Sequence, residues 1–285
     1  MKAEAVILQP GLFSTIQDSG RRGLMQYGVP LSGPMDTYAA GMANLLLQNP
    51  PGTAILEITL LGPKLRFTGA TSIVITGAQL SPHLNGEPLE NNKAYHLSGG
   101  ELLSFGKRLT GCRAYLAVKG GFRTEKVLDS RSWYSVCTRY EKLIKGIGLE
   151  YRSSMETLPE HHSGVRFDNY LSAEIVETFK GPEYDCLSEA EKKNLHERVF
   201  SVDRNNNRMG IQLQESIENS LKPILTGPVL PGTVQLPPSG KPIVLMRDCQ
   251  TTGGYPRILQ LSEKGINKLT QKIAGDRFRF KILDR

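Results

Sequence analysis

Short strand-like runs separated by glycine-containing turns recur along this sequence and limit the folds open to it. In the first half the runs are Ile55 to Leu60, Lys64 to Phe67, Ser72 to Ile75, Glu101 to Phe105 and Ala114 to Val118. The turns between them contain Gly62-Pro63, Asn85-Gly86, Gly99-Gly100 and Gly120-Gly121. The 29 glycines and 17 prolines among 285 residues exceed average usage, as many tight turns require. This pattern predicts a β-barrel or β-sandwich.

Helical periodicity is confined to a few stretches. From Asp36 to Leu47 apolar residues recur at three- and four-residue spacing, with Asp36 as a plausible N-cap. In the second half, Ser188 and Glu191 form a capping-box pattern, and a closing helix is predicted near Ile266 to Ile273. Neither half shows the strand–helix alternation of a parallel doubly wound sheet. The sequence therefore predicts a mainly β protein with two β-rich halves, each with a short helix.

The segment from Tyr140 to Gly164 has neither helix nor strand periodicity, so we interpret it as the linker. This places an N-terminal domain at residues 1–165, linker included, and a C-terminal domain at residues 166–285. The segment contains the adjacent pair His161-His162, but no spacing typical of a metal site accompanies it. No protein-built metal centre is expected.

Composition and motifs exclude several functions. No stretch reaches the roughly 18 apolar residues of a membrane span, and the N-terminus lacks a signal-peptide core, so we expect a cytoplasmic protein without membrane contact. The net charge of +7 comes from basic residues interleaved with acidic ones, which argues against nucleic-acid binding. Four separated cysteines indicate reduced thiols. No phosphate-binding glycine loop or nucleophilic serine elbow occurs, so this chain alone is expected to bind no cofactor.

Two polar segments among glycines resemble binding loops. The first joins Gln17-Asp18-Ser19-Gly20-Arg21 to Ser32-Gly33-Pro34-Met35-Asp36. Asp18 is either an Asx-turn residue or a general base, and Asp36 is either a helix N-cap or a base. Arg21 is either a clamp for a carboxylate or a residue that is solvated or part of a structural ion pair, and Gln17 and Ser32 are candidate substrate contacts.

The second segment runs from Asp248 to Pro256, and its candidate substrate-binding residues are Gln250, Thr251, Thr252, Gly253, Gly254 and Tyr255. Glycine pairs let a backbone approach a ligand closely, while hydroxyl and amide groups supply directional hydrogen bonds. The alternative is a tight turn between strands. Glu57, in an apolar run, is either a paired core carboxylate or a base whose pKa is raised by desolvation.

A series of landmarks in these regions resembles the biotin-dependent carboxyltransferase family, which includes allophanate hydrolase subunit 2 and the C subunit of bacterial 5-oxoprolinase. The early landmarks are Gly11 to Arg21, Gly28 to Asp36, Ala43 to Leu46, Leu56 to Thr59, Thr76 to Ala78 and Tyr115 to Gly121. The later ones are Asn207 to Gly210, Gly232 to Pro237, Pro242 to Leu245, and Asp248 with Gln250 to Pro256. They occur in one order along nearly the whole chain.

The resemblance implies two linked cyclophilin-like β-barrel subdomains with a ligand cleft between them. It also implies partners: the kinase-inhibitor-like B subunit and, in the oxoprolinase system, the A subunit as well. Together these proteins use ATP to open 5-oxoproline to glutamate. We therefore expect the C subunit of such a hydrolase, inactive alone, with Asp18 and Asp36 as candidate bases. Either Arg21 or backbone amides would hold the substrate carboxylate, and the loop from Thr251 to Tyr255 would orient the lactam.

Two other functions stay open from the resemblance. One is a non-enzymatic regulator that binds a histidine-kinase inhibitor protein, and the other is a carboxyltransferase acting on urea-like amides. The second would need carboxybiotin in trans, since this sequence has no Met-Lys-Met biotinylation signal. The chain departs from the family between Trp133 and Glu141, where the family usually has a glycine-rich stretch ending in Gly-Arg. This change puts substrate, partner docking and activity in question.

Overall fold

The computed structural model describes residues 2–155 and 166–283, and the pair His161-His162 lies outside them. The chain forms two compact units. Unit 1 comprises Met1–Arg21 and Ser32–Leu171, and unit 2 comprises Arg22–Leu31 and Ser172–Arg285. A short segment, residues 22–31, thus leaves the first unit and belongs to the second. Both units are built mainly from strands, which confirms the mainly β prediction.

Unit 1 contains one described α-helix, α1 (Thr37–Leu46), and eleven described strands. The strands are β1 (Lys2–Gln9), β2 (Phe13–Gln17), β3 (Ile55–Thr59), β4 (Lys64–Phe67), β5 (Thr71–Gln79), β6 (Pro82–Leu84), β7 (Glu87–Pro88), β8 (Ala94–Leu97), β9 (Leu102–Phe105), β10 (Thr110–Val118) and β11 (Gly148–Arg152). They form two sheets, with strand orders β11-β1-β4-β9-β6-β7 and β2-β3-β10-β5-β8.

Strand β10 has almost every residue buried because both of its faces are covered. Ala114, Leu116 and Val118 join the main core, which also contains residues of β1 and β4 from the other sheet. Tyr115 and Ala117 face helix α1 instead, in a cluster with its small residues. The antiparallel register places Tyr115 opposite Glu57 of β3, which fixes one buried polar pair of the candidate site.

Helix α1 begins where the sequence predicts. Asp36 is its N-cap, and the Asp36 side chain accepts a hydrogen bond from the Ala39 N–H. An N-cap carboxylate satisfies one of the helix's unpaired N–H groups and interacts favourably with the helix dipole. Ala39, Ala40 and Ala43 are buried, and their small side chains let the helix lie close to the sheet.

Unit 2 contains the helices α2 (Glu189–Glu197) and α3 (Glu263–Thr270), and Met25–Tyr27 and Tyr184–Cys186 are short 3₁₀ turns. Its strands are β12 (Ile175–Lys180), β13 (Phe200–Asn206), β14 (Gly210–Leu213), β15 (Gly227–Pro228), β16 (Thr233–Gln235), β17 (Ile243–Leu245), β18 (Thr252–Gly253), β19 (Arg257–Leu261) and β20 (Arg277–Ile282). Seven of the described strands close a barrel in the order β12-β19-β16-β17-β14-β13-β20.

The barrel closes through a parallel pairing of β12 with β20, and the other pairings in it are antiparallel. Three phenylalanines, Phe200, Phe278 and Phe280, form an aromatic cluster in its core. The predicted capping box is confirmed at α2, where Ser188 and Glu191 bond reciprocally. Within residues 2–155 and 166–283, no helix has the length and apolarity needed to cross a membrane.

Candidate functional site

Asp18 lies just after β2 and organises its loop. The Asp18 Oδ1 accepts hydrogen bonds from the Gly20 N–H at 3.0 Å and the Ser132 hydroxyl at 2.8 Å, and from the Ser130 hydroxyl. Its Oδ2 accepts from the Arg131 N–H at 2.6 Å. The bond to Gly20 is an Asx-turn, and the other bonds tie a distant segment to the loop. This geometry supports a structural role, while a role as base stays a prediction.

Arg21 ends the same loop and is buried, with an exposed fraction of 1%. Its Nη2 donates to the Ser132 carbonyl at 2.5 Å. Its Nε and Nη1 have no hydrogen-bond partner among the residues that the structure describes. A buried guanidinium with unused donors is unfavourable unless an anion accepts from them, and its planar fork matches a carboxylate. That Arg21 binds an anion stays a prediction, and its two unused nitrogens are the observation that favours it.

The Ser32-Gly33 turn packs against this loop. The Gln17 side-chain carbonyl accepts from the Gly33 N–H at 3.0 Å, and a Cβ on Gly33 would lie 3.2 Å from the Asp18 carbonyl oxygen. Ser32 has a φ of 57°, a conformation that costs energy in a residue other than glycine. The Ser32 hydroxyl is buried and has no described hydrogen-bond partner.

Asp36 belongs to a buried polar network at the start of α1. Its Oδ2 accepts a hydrogen bond from the Tyr170 hydroxyl, and its N–H donates to the Tyr115 hydroxyl oxygen at 2.8 Å. The Tyr115 hydroxyl donates to Glu57 Oε2 at 3.0 Å, which also accepts from the Met35 N–H at 2.7 Å. Glu57 is therefore a paired core carboxylate, one of the two alternatives open from the sequence.

This network holds two tyrosines in their neutral form. Burial raises the pKa of Tyr115 well above its ordinary value, and the carboxylates of Glu57 and Asp36 raise it further. Burial also raises the pKa of Tyr170, with the adjacent Asp36 carboxylate as the next cause. Both hydroxyls thus remain donors to carboxylates over the ordinary pH range.

The segment 248–256 of unit 2 is held by its backbone and by one ion pair. Arg208 Nε and Nη2 donate to the two Asp248 carboxylate oxygens at 2.7 and 3.2 Å, and both side chains are buried. Thr252–Gly253 pairs with Gly227–Pro228 as a small sheet, so the segment is not a simple tight turn.

The predicted binding residues of this segment differ in exposure. Gln250, Thr252 and Tyr255 are exposed, whereas Thr251, Gly253 and Gly254 are half-buried. The Thr251, Gly254 and Tyr255 carbonyls accept hydrogen bonds from neighbouring segments of unit 2. The backbone is therefore fixed, and exposed side chains remain for contact with a ligand.

Unit 1 brings Gln17, Asp18, Arg21 and Ser32 together, and Asp36 follows the same turn. Residues 250–255 form their own group within unit 2. The sequence resemblance predicts that the two groups line one cleft, and this stays a prediction.

The analysis of the sequence missed four residues that bond to predicted site residues: Ser130, Ser132, Tyr170 and Arg208. Ser130 and Ser132 flank Arg131 and precede the segment that departs from the family, a signal that the sequence contains.

The departing segment, Trp133 to Glu141, lies beside β2. The Trp133 N–H donates to the Ile16 carbonyl at 2.8 Å, and its carbonyl accepts from the Gln17 amide at 3.3 Å. The Trp133 and Tyr140 rings lie 5.5 Å apart, and the Arg139 guanidinium lies 5.1 Å from the Tyr140 ring centroid. An aromatic pair thus stabilises this segment next to the candidate site.

Among the described residues no group of three or more His, Cys, Asp and Glu side chains could hold a metal ion. The group in this region best suited to a ligand is the Arg21 guanidinium, whose Nε and Nη1 have no described partner. A guanidinium favours a small polar anion.

Comparison with known proteins shows which family the chain resembles. The family model described as carboxyltransferase domain, subdomain A and B, matches residues 27–282. The chain is 32% identical over 284 residues to the C subunit of 5-oxoprolinase from Escherichia coli (strain K12), covering 96% of this chain and 89% of that protein.

Two solved structures resemble this fold. TTHA0988 superposes with a TM-score of 0.87 at 27% identity, covering 98% of this chain and 55% of that one. The Kluyveromyces lactis urea carboxylase gives 0.85 at 26% identity, covering 99% of this chain and 27% of that one. This chain spans about half the length of TTHA0988 and about a quarter of the urea carboxylase. Since a family model matches almost its whole length, the chain belongs to the carboxyltransferase domain family, subdomains A and B.

Proposed function

We propose that this chain is the C subunit of an ATP-dependent 5-oxoprolinase complex that opens 5-oxoproline to glutamate. The observation that carries the proposal is the buried Arg21 guanidinium, whose Nε and Nη1 have no partner among the described residues. The similarity to the C subunit of the Escherichia coli 5-oxoprolinase over 96% of the chain supports it independently. 5-Oxoproline is a small lactam with one carboxylate, so it matches a site with one unpaired guanidinium.

Arg21 would bind the substrate carboxylate through one of its two unused nitrogens, Nε or Nη1, which lie on different edges of the guanidinium. The Nη2 bond to the Ser132 carbonyl fixes the guanidinium before substrate arrives. A guanidinium held in one orientation loses little entropy on binding and recognises a carboxylate by shape as well as charge.

The remaining chemistry requires partners. Ring opening adds water across the lactam C–N bond, and ATP drives it in this proposal. This sequence has no phosphate-binding glycine loop, so the A subunit and the kinase-inhibitor-like B subunit would bind ATP. Asp18 and Asp36 are the carboxylates to test as bases, and each already accepts hydrogen bonds from described residues.

Reconstitution tests the proposal. The purified chain is mixed with the A and B subunits, 5-oxoproline and ATP, and glutamate release is followed with each component omitted in turn. We expect glutamate only when ATP and all three proteins are present. Unchanged turnover after omission of this chain would contradict the proposed function.

Substitution of two neighbouring arginines links that activity to the site. Arg21→Met removes the buried guanidinium, whereas Arg22→Met removes a neighbouring charge that is exposed. We expect Arg21→Met to raise the KM for 5-oxoproline strongly and Arg22→Met to leave it unchanged. Equal effects of the two substitutions would remove Arg21 from the proposal.

A second candidate function is a carboxyltransferase that uses carboxybiotin supplied in trans, acting on a urea-like amide. The structural similarity to the Kluyveromyces lactis urea carboxylase favours it. Urea has no carboxylate to pair with Arg21, which makes this the weaker candidate. It predicts that avidin blocks activity, whereas the 5-oxoprolinase proposal predicts that avidin has no effect.

A further inference from the structure

Unit 1 contains a polar cavity that the proposed function does not use. Its volume is about 530 Å³, within the range of small-molecule sites. The cavity is lined by residues near Gly52 and Gly120 and by the segment from Phe122 to Arg131. Asp18 contributes to its wall, but Arg21 does not line it.

Three cationic side chains line the cavity: Arg123, Lys126 and Arg131. Within the described part of the chain, no salt bridge joins any of them to a carboxylate. Like charges gathered around a concavity repel one another and focus a positive potential into it. An anion bound among them would relieve that repulsion.

The acidic residues of the wall offset only part of this positive charge. Asp18 is occupied by the hydroxyls of Ser130 and Ser132 and by the Arg131 N–H. Asp129 is the other acidic residue on the described wall, and it is exposed. Three cations therefore face two carboxylates, one of which is already bonded to the scaffold.

The backbone holds two of the cations in place. Val127 and Ser130 exchange hydrogen bonds of 2.8 and 3.2 Å across a tight turn. The central residues Leu128 and Asp129 have φ values of 52° and 61°, which glycine or asparagine adopts more readily. Lys126 and Arg131 lie on either side of this turn. Strained turns of this kind persist where the surrounding structure requires them, often at ligand sites.

We infer that this cavity binds a phosphoanion, either free phosphate or the phosphate of a small monoester. Two guanidiniums supply forked donors that match tetrahedral oxyanions, and a lysine adds a point charge. Three cations suit a dianion better than the single charge of a carboxylate. The inference goes beyond the proposed function and does not rest on it, since none of its three cations belongs to the Arg21 site.

Isothermal titration calorimetry on the full chain at low ionic strength tests the inference. The probes are inorganic phosphate, glycerol 3-phosphate and acetate. We expect saturable one-to-one binding of at least one phosphate probe and much weaker heats with acetate. Tighter binding of glycerol 3-phosphate would identify a monoester ligand, and tighter binding of inorganic phosphate would identify the free ion.

Variants localise the binding. The double variant Arg123→Gln/Arg131→Gln is expected to weaken phosphate binding at least tenfold, and Arg123→Lys/Arg131→Lys to weaken it less. Lys145→Gln removes an exposed charge of unit 1 outside the cavity wall and should change nothing. The unfolding midpoint of each variant, measured in parallel, checks that it is folded.

Three results would overturn the inference: no saturable phosphate binding, binding unchanged in the double glutamine variant, or an equal loss in Lys145→Gln. The last two would mean that phosphate is an adventitious ion only. If the double glutamine variant does not fold, the exposed single variant Arg123→Gln decides instead, with an expected loss of about threefold or more.

Discussion

Arg21 of unit 1 and Arg208 of unit 2 are both almost completely buried, with exposed fractions of 1% and 7%. Their surroundings differ. Arg208 makes a two-point ion pair with buried Asp248, whereas Arg21 donates to a carbonyl and leaves two nitrogens unused among the described residues. The buried charge of Arg208 is paired within the chain, whereas in our proposal the charge of Arg21 is paired by the substrate carboxylate. The same residue type is thus structural in one unit and suited to binding in the other.

The largest expected effect is on stability, at Arg208. Replacing Arg208 by Met leaves Asp248 buried without its partner, and breaking a buried pair in this way costs about 3–5 kcal/mol. Urea unfolding of the purified chain measures it. The double variant Arg208→Met/Asp248→Leu should recover most of the loss, because it removes both charges. If Arg208→Met alone is as stable as wild type, the ion pair does not stabilise segment 248–256.

At Arg21 the same change should act on function and not on stability. A hydrogen bond to a charged group contributes about 1.5–3 kcal/mol, so loss of the Arg21 bond to substrate lowers kcat/KM by about 10- to 150-fold. The free energy of unfolding of Arg21→Met should equal or exceed that of wild type, because an uncompensated buried charge has gone. A loss of stability as large as that of Arg208→Met would erase the contrast between the two arginines.

A substitution at Asp18 extends the comparison from the two arginines to a carboxylate of unit 1. Asp18→Asn replaces one carboxylate oxygen by an amide nitrogen, which cannot accept a hydrogen bond. Either the Arg131 N–H or the Ser130 hydroxyl then loses its acceptor, so we expect a loss of about 2 kcal/mol. Asp129→Asn is the matched control in the same unit, since Asp129 is exposed and asparagine suits its positive φ. Chemical unfolding of both variants decides whether Asp18 is part of the scaffold.

The smallest effect concerns the neutral tyrosines near Asp36. Tyr115 and Tyr170 have pKa values raised in the folded chain, so above about pH 10 the unfolded chain releases their protons while the folded chain keeps them. The contribution of the two tyrosines to the free energy of unfolding is fully present below about pH 10. Above that pH it falls, by up to about 1.4 kcal/mol per pH unit for each tyrosine. Tyr170→Phe should reduce this slope, and Tyr27→Phe, at an exposed residue, should not. An unchanged slope in Tyr170→Phe would contradict the buried network.

The elements that are predicted well from the sequence depend on hydrogen bonds between residues a few positions apart. Helix α1 begins after Asp36 because the capping oxygen lies three residues from its N–H partner, and the α2 capping box is equally local. The closing helix begins at Glu263, earlier than the predicted Ile266, because Ser262 caps it through the Gly265 N–H. That serine is as local a signal as the other two caps, so the earlier start could have been predicted.

The site depends on contacts between residues far apart in sequence. Ser132 lies 114 residues from Asp18 and Tyr170 lies 134 residues from Asp36, so no spacing rule could pair them. The sequence marks Arg21 and Ser32 as candidates, but burial and the lack of described partners appear only once the strands are folded. Residue types locate a polar loop, whereas packing decides which of its groups remain unused.

The most direct test of the central claim is a calorimetric titration of the assembled three-protein complex without ATP, using 5-oxoproline and its analogue 2-pyrrolidinone, which lacks the carboxylate. We predict saturable binding of 5-oxoproline by wild type, at least tenfold weaker binding of 2-pyrrolidinone, and loss of this preference in Arg21→Met. Equal affinity for the two lactams in wild type, or an undiminished preference in Arg21→Met, would contradict the assignment of Arg21 as the carboxylate-binding group.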